Sequence, residues 1–195
     1  MKKLLAVLAC FGMAQNVNAL DINKLSDRQV ELMIEAYAAG DKIGFPETIQ
    51  AILVQESRVG EAGVIGDNIA AFCPMQVQIQ AAEHMSKVYA DLKEYSKSKY
   101  AEKLLFDDNY CFTIATRYFK HNKERLKNYK RAIAGYNMGT GTALTLTDTE
   151  VSNVKYVQLV LKHLKFVRQF NEKYADEINT YLKEHNQVSK HLATN

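Results

Sequence analysis

Several features are missing from this sequence, and most of these absences narrow the classes of protein to which the chain can belong. It has no tryptophan, which excludes nothing by itself. No stretch sustains the apolar–polar alternation of a strand, and no internal repeat or low-complexity tract occurs, which argues against sheet-rich and repeat folds. The five histidines lie too far apart for a local ligand pair, and no His-Glu-x-x-His motif is present. These absences predict a mainly helical chain without a metal ion or cofactor.

Long apolar runs are also absent beyond the N-terminal segment, so no transmembrane helix is expected. Residues 1–19 combine two lysines, an apolar run from Leu4 to Ala14 and small residues up to Ala19. This pattern predicts a signal peptide and an exported, periplasmic chain. The alternative is a lipoprotein acylated at Cys10, which would leave a very short apolar segment before that cysteine.

The chain after residue 19 has little excess of positive over negative charge. Removal of residues 1–19 deletes two lysines and no acids, so the formal net charge falls from +3 to +1. The densest basic run, from Lys123 to Arg131, reads better as a solvated helix face than as a binding patch. Nucleic acid is therefore not an expected partner.

Cysteine is rare, and after cleavage only Cys73 and Cys111 remain. An even pair in an oxidising compartment suggests a disulfide. Two free buried thiols are the alternative.

Helix signals cover most of the chain after residue 19. Ser26 to Gln29 form a capping box before a first amphipathic helix, and Asp107 or Asp108 caps a later one. Pro74 is expected to open a helix that continues toward Leu92. Apolar residues from Val154 to Val167 recur at helical spacing and predict the longest helix, extended through Tyr174 and Tyr181. We expect one mainly α domain over residues 20–187 and a frayed tail over 188–195.

One short helix, from Pro46 to just before Gly60, contains an unusual carboxylate. Glu56 shares a helix face with three aliphatic residues: Ile49, Ile52 and Leu53. Burial and the negative end of the helix dipole both disfavour its charged form. Glu56 is therefore a candidate general acid for glycoside cleavage. The alternative is a carboxylate that bends out to solvent or pairs with a cation such as Arg58.

Three segments stand in a characteristic order: Glu56-Ser57, then Pro74-Met75-Gln76-Val77, then Gly135-Tyr136-Asn137-Met138-Gly139. Together they resemble the soluble lytic transglycosylase domain, a lysozyme-like family that cuts bacterial peptidoglycan. The resemblance covers about residues 45–160 and implies a lysozyme-like single domain with little or no sheet. The sequence departs from the family where Cys73-Pro74 replaces Gly-Leu and where Gly135 and Met138 replace alanines.

The resemblance implies a role for each matching residue. Glu56 would be the single catalytic acid/base, supported by its neighbour Ser57. Cleft and substrate contacts would come from five residues: Met75, Gln76, Tyr136, Asn137 and Tyr156. The match at Tyr156 is looser, and core packing is its alternative. The replacement at Cys73 would fit a tether to the helix that carries Cys111.

The expected reaction follows from having one obvious carboxylate, since most glycosidases need two. The other candidates read better as a turn former (Asp67) or as helix caps (Asp107 and Asp108). The family-like route is non-hydrolytic cleavage after N-acetylmuramic acid, which leaves a 1,6-anhydro end. The rivals are a hydrolytic muramidase of the same fold, a non-catalytic protein that binds peptidoglycan within a secretion, conjugation or phage apparatus, and a disulfide-tethered interaction module that binds no sugar. We expect a monomer whose partners are glycan strands, with a secretion or conjugation machine as a further candidate.

Overall fold

The computed structural model describes residues 20–61 and 71–192, with side chains up to residue 185. The predicted signal peptide and residues 62–70, which include Asp67, lie outside the described residues. The described elements follow in chain order: α1 (Asp27–Asp41), α2 (Pro46–Ser57), β1 (Ala71–Phe72), β2 (Val77–Gln78), α3 (Ile79–Val88), α4 (Lys97–Phe106), α5 (Asp108–Leu126), α6 (Tyr129–Met138), α7 (Thr140–Thr145), α8 (Asp148–Asn153), α9 (Lys155–Lys173) and α10 (Ala175–Leu192).

The predicted mainly α fold is confirmed. Strands β1 and β2 form a two-stranded antiparallel ladder that pairs Ala71 with Gln78 and Phe72 with Val77. All other regular structure in the described part of the chain is helical.

Helix α2 lies at the centre of the core, between α1 and α9. Pro46 occupies its first turn, as its sequence predicts, and Arg58 ends it in the left-handed conformation. Its aliphatic face is completely buried, with no exposed surface on Ile49, Ile52 or Leu53. Because burial of each such side chain stabilises a fold by roughly 1.5 to 3 kcal/mol, this face fixes where the end of α2 lies.

The prediction that Pro74 opens a helix is wrong. Residues from Cys73 to Gln76 form the tight turn of the β1–β2 hairpin, closed by the Gln76 amide, which donates to the Cys73 carbonyl oxygen at 3.0 Å. Helix α3 begins only at Ile79. Cys73 and Gln76 have φ values of 62° and 49°, which no right-handed helix can include. Pro74 is therefore a turn residue here, with the same fixed φ that suits the start of a helix.

Two helix starts follow their sequence signals, but the prediction of one longest helix that runs from Val154 through Tyr181 is wrong. The capping box at Ser26 is formed, and Asp107 caps α5 by accepting from the Tyr110 amide at 2.9 Å. Helix α4, which begins after its cap, Ser96, was not predicted. The long C-terminal segment is two helices, because Tyr174 interrupts it between α9 and α10. Helix α10 runs to Leu192, so the tail expected from residue 188 is helical for its first five residues.

Cys73 and Cys111 are joined by a disulfide, with their Cα atoms 6.3 Å apart. Both residues are fully buried. The bridge ties the hairpin turn that contains Met75 and Gln76 to α5 across 38 residues of sequence. The disulfide therefore anchors the hairpin turn to α5.

None of the helices in the part of the chain that the structure describes has the length and apolar character needed to cross a membrane.

Candidate active site

Glu56 lies in the last turn of α2, and its carboxyl group meets a tyrosine from the other end of the domain. The Tyr156 hydroxyl, from the first turn of α9, donates to Glu56 Oε1 at 2.5 Å. Both residues are half-buried. Because the hydroxyl uses Oε1, the second oxygen, Oε2, is the one left to carry a proton.

Burial raises the pKa of Glu56 from 4.5 to about 7, and the hydrogen bond from Tyr156 opposes that rise. Desolvation disfavours the ionised carboxylate, whereas a donor aimed at it favours the ionised form. The two effects leave a carboxyl group that can both give and accept a proton near neutral pH. Burial also raises the pKa of Tyr156 well above its usual range, so this hydroxyl stays protonated and remains a donor.

Ser57 is almost completely buried and fixes the chain just after Glu56. Its Oγ accepts from the Gly60 amide at 2.8 Å. The intervening residues Arg58 and Val59 have φ values of 51° and 60°, and Gly60 has 84°. A branched side chain such as that of Val59 is strained in this region, so the turn needs added support. The Ser57 hydroxyl provides such support.

Tyr136, from the last turn of α6, connects the site to the hairpin turn. Its hydroxyl donates to the Met75 carbonyl oxygen at 3.0 Å. Burial and the nearby charge of Glu56 raise the pKa of Tyr136 well above its usual range. Met75 contributes this backbone oxygen, whereas its side chain has no exposed surface. The structure thus brings Tyr136, Tyr156 and Glu56 together.

Gln76, in the hairpin turn, and Asn137, in the last turn of α6, are the remaining predicted site residues. The Gln76 amide nitrogen donates to the Cys73 carbonyl oxygen at 3.1 Å, and the side chain is half-buried. Asn137 is exposed and directly precedes Met138 and Gly139, which has a φ of 83°. No described contact joins Gln76 or Asn137 to Glu56, so their roles stay predictions.

No second carboxylate in the described residues acts on the pKa of Glu56. Asp107 caps α5 and pairs with Lys103 at 3.1 Å, and Asp108 forms an ion pair with Arg28. Neither is available as a catalytic partner. The described residues also contain no group of three or more His, Cys, Asp or Glu side chains that could hold a metal ion.

The sequence analysis did not identify three polar residues that the fold pairs or partly buries: Gln55, His163 and Glu35. Gln55, next to Glu56, accepts through its Oε1 from Nε2 of the His163 ring of α9 at 3.1 Å. Glu35, on α1, has its pKa raised to about 7 by burial and by nearby Asp108. Glu35 is surrounded by Arg28, Glu31 and Asp108, and it does not act on Glu56.

Comparison with protein families decides where this arrangement belongs. The transglycosylase SLT domain matches residues 33–150, more than half of the chain. The chain belongs to the transglycosylase SLT domain family. This SLT domain is of the lysozyme-like superfamily, as its sequence motifs suggested. At the level of the family, the match supports transglycosylase-like action on peptidoglycan.

The matched region of the SLT domain contains Glu56 and the residues predicted beside it, except Tyr156, which lies six residues beyond its end. The fold brings that tyrosine onto Glu56 nevertheless. No curated protein and no solved structure matches the chain.

Proposed function

We propose that this SLT-domain protein is a lytic transglycosylase that cleaves the bond between N-acetylmuramic acid and N-acetylglucosamine in peptidoglycan. Glu56 is the single general acid and base, and the products end in 1,6-anhydro-N-acetylmuramic acid. One observation supports this most directly: Glu56 is half-buried with a pKa of about 7, and its only described hydrogen-bond donor is Tyr156.

The first step uses the protonated form of Glu56. Its proton passes to the glycosidic oxygen as the bond from that oxygen to the muramic C1 breaks. The acetamido oxygen of the same sugar stabilises the positive C1. The Tyr156 hydroxyl meanwhile stabilises the new carboxylate at Oε1, because a hydrogen bond to an ionised acceptor is stronger than one to a neutral acceptor.

The second step returns the proton. The C6 hydroxyl of the muramic sugar attacks C1 and forms the 1,6-anhydro bond, while its proton moves to the Glu56 carboxylate. No water is consumed, and Glu56 ends in the state in which it began. A pKa near 7 suits a group that acts in both directions, since neither transfer is strongly uphill.

Five residues complete the proposed site. Ser57 fixes the turn behind Glu56, and Tyr136 fixes the hairpin turn through the Met75 carbonyl oxygen. The Met75 side chain is buried, and we propose that it packs behind the site. We assign sugar contacts to Gln76, which is half-buried, and to Asn137, which is exposed.

We further propose that the protein is exported through its N-terminal segment and acts in the periplasm as a monomer on glycan strands. A secretion or conjugation machine is the partner we would test first. No contact described above suggests that partner.

The test is digestion of purified sacculi by the wild-type protein and by Glu56→Gln, followed by mass analysis of the soluble muropeptides. Glutamine keeps an oxygen that can accept from Tyr156 but has no proton to give, so the variant should fold and release no products. The wild-type products should be lighter by one water than the hydrolytic products of a muramidase.

Other results would favour the rival functions. Products that carry the added water would indicate a muramidase. Equal behaviour of wild type and Glu56→Gln, with retained binding to sacculi, would indicate a non-catalytic peptidoglycan-binding protein. Failure of both proteins to bind sacculi would favour the interaction module.

A further inference from the structure

Helices α2 and α9 are joined by a row of polar contacts along their length. Four pairs form this row: Glu56 with Tyr156 at 2.5 Å, Gln55 with His163 at 3.1 Å, Gln50 with Asn171 at 2.9 and 3.0 Å, and Glu47 with Arg168 at 3.1 Å. The first pair is the proposed catalytic contact. The other pairs determine how α9 lies against α2.

The Gln55–His163 pair is the one that lies next to Glu56 and Tyr156. Gln55 directly precedes Glu56 in α2. His163 follows Tyr156 by seven residues, which is two helical turns, so both side chains leave the same face of α9. The ring Nε2 faces the Gln55 amide oxygen, and since an amide oxygen only accepts, the ring is the donor.

Tyr156 needs such a support because of its place in α9. It is the second residue of the helix, and the cap, Val154, provides no side-chain hydrogen bond to the first turn. A first turn without a side-chain cap relies on packing to hold it, and here Val157 supplies part of that packing, since it has no exposed surface. The position of the Tyr156 hydroxyl therefore depends on contacts that hold α9 against α2.

We infer that His163 is a positioning residue, which holds the start of α9 against α2 through Gln55 and thereby keeps the Tyr156 hydroxyl on the Glu56 carboxyl. This inference rests on the proposed function of Glu56. It extends that function by making the proton affinity of Glu56 depend on a residue that does not touch it.

The charges around the pair make this effect measurable. Burial and the neighbouring Lys162 lower the pKa of His163, which favours the neutral ring, and His163 is not among the groups that act on the pKa of Glu56. Among the described residues, Tyr156 from α9 is the group that acts on the pKa of Glu56, and Glu56 in turn raises the pKa of Tyr136 from α6. Replacing His163 by a neutral side chain thus removes no charge, and a changed pKa of Glu56 would report a changed position of Tyr156.

The experiment is a pH titration of the Glu56 side-chain carboxyl by carbon-13 NMR, with Glu56→Gln used to assign the resonance. Tyr156→Phe removes the donor that lowers the pKa of Glu56 and should raise the midpoint by about half a pH unit or more. His163→Leu should raise it in the same direction. The double variant should show little further rise, because the two substitutions act through one contact.

Three variants act as controls on the same helices. His163→Gln keeps a donor near the Nε2 position and should restore the wild-type midpoint. Gln55→Met breaks the link from α2 and should repeat the rise, which covers a failure of His163→Leu to fold. Arg168→Gln removes an exposed contact of the same row and should leave the midpoint unchanged.

A rise with Tyr156→Phe alone, and none with His163→Leu or Gln55→Met, would overturn the inference. An equal rise with Arg168→Gln would also overturn it, because any loosening of α9 would then suffice. The titration needs no activity, so a failure of this inference can be told apart from a failure of the proposed function. An active Glu56→Gln variant would defeat that function whatever the titration shows.

Discussion

The Tyr156 hydroxyl donates to the Glu56 carboxyl at 2.5 Å although the two residues are 100 positions apart in the chain. Burial and this bond act on Glu56 in opposite directions. Burial is the larger effect, so the carboxyl group is close to half-protonated at neutral pH. Four predictions follow from this contact and from the turns that hold it.

The first concerns the pH dependence of activity. Cleavage starts from protonated Glu56, so kcat/KM should fall as the pH rises through about 7, by about tenfold for each further pH unit. Initial rates of muropeptide release from sacculi between pH 5 and 9 would measure this. A decline that begins near 4.5, the ordinary value for a glutamate, would contradict the prediction.

The second concerns stability, for which Glu56→Gln is again informative. The native state keeps the Glu56 proton up to about pH 7, whereas the unfolded chain releases it near 4.5. Between those values the native state binds more protons, so the free energy of unfolding decreases as the pH rises. Glutamine removes this cost of ionisation.

Relative to wild type, Glu56→Gln should therefore gain about 2 to 3 kcal/mol between pH 4 and pH 8. Urea denaturation at both values would measure the gain. Glu35, whose pKa is also raised to about 7, contributes equally to both proteins and cancels. An equal difference between the two proteins at pH 4 and pH 8 would refute the raised pKa of Glu56.

The third prediction concerns the turn after Glu56. Ser57→Ala removes the acceptor of the Gly60 amide from a turn with three consecutive left-handed residues. The Gly60 amide is partly buried, so we expect the loss of this hydrogen bond to lower the free energy of unfolding by about 1 kcal/mol. The exposed Ser98 supplies a matched control, since Ser98→Ala should change it by no more than about 0.5 kcal/mol. Equal effects of the two substitutions would show that Ser57 does not hold the turn.

The fourth prediction concerns the disulfide between Cys73 and Cys111. Its bridge closes a loop of 38 residues, and on the chain-entropy account the double Cys→Ser variant should lose about 4 kcal/mol of stability. The hairpin turn that contains Gln76 should loosen first, because the bridge anchors that turn to α5. Hydrogen exchange would detect this as faster exchange of the Gln76 amide. Unchanged exchange there would mean that the hairpin holds itself.

The sequence predicted the parts of this fold whose causes are local. The start of α2 follows from Pro46, and the burial of Ile49, Ile52 and Leu53 follows from their spacing on one helix face. The same spacing singled out Glu56 before any contact was known. The prediction that Pro74 opens a helix is wrong because proline suits the first turn of a helix and the turn of a hairpin equally well. Cys73 and Gln76 adopt left-handed conformations, which are compatible with the hairpin turn and not with a helix. Neither residue type predicts a left-handed conformation from sequence.

By itself, the sequence determined that the chain is mainly helical, that it carries three motifs in the order of the SLT domain, and that one carboxylate shares a buried face. Only the tertiary structure decided that Tyr156 reaches Glu56, that Tyr136 reaches the Met75 carbonyl oxygen, and that His163 reaches Gln55. The reason is physical: helical periodicity records which face of each helix is buried, but not which residue of a distant helix meets it. That choice depends on how α2, α6 and α9 pack together, and it sets the proton affinity of Glu56.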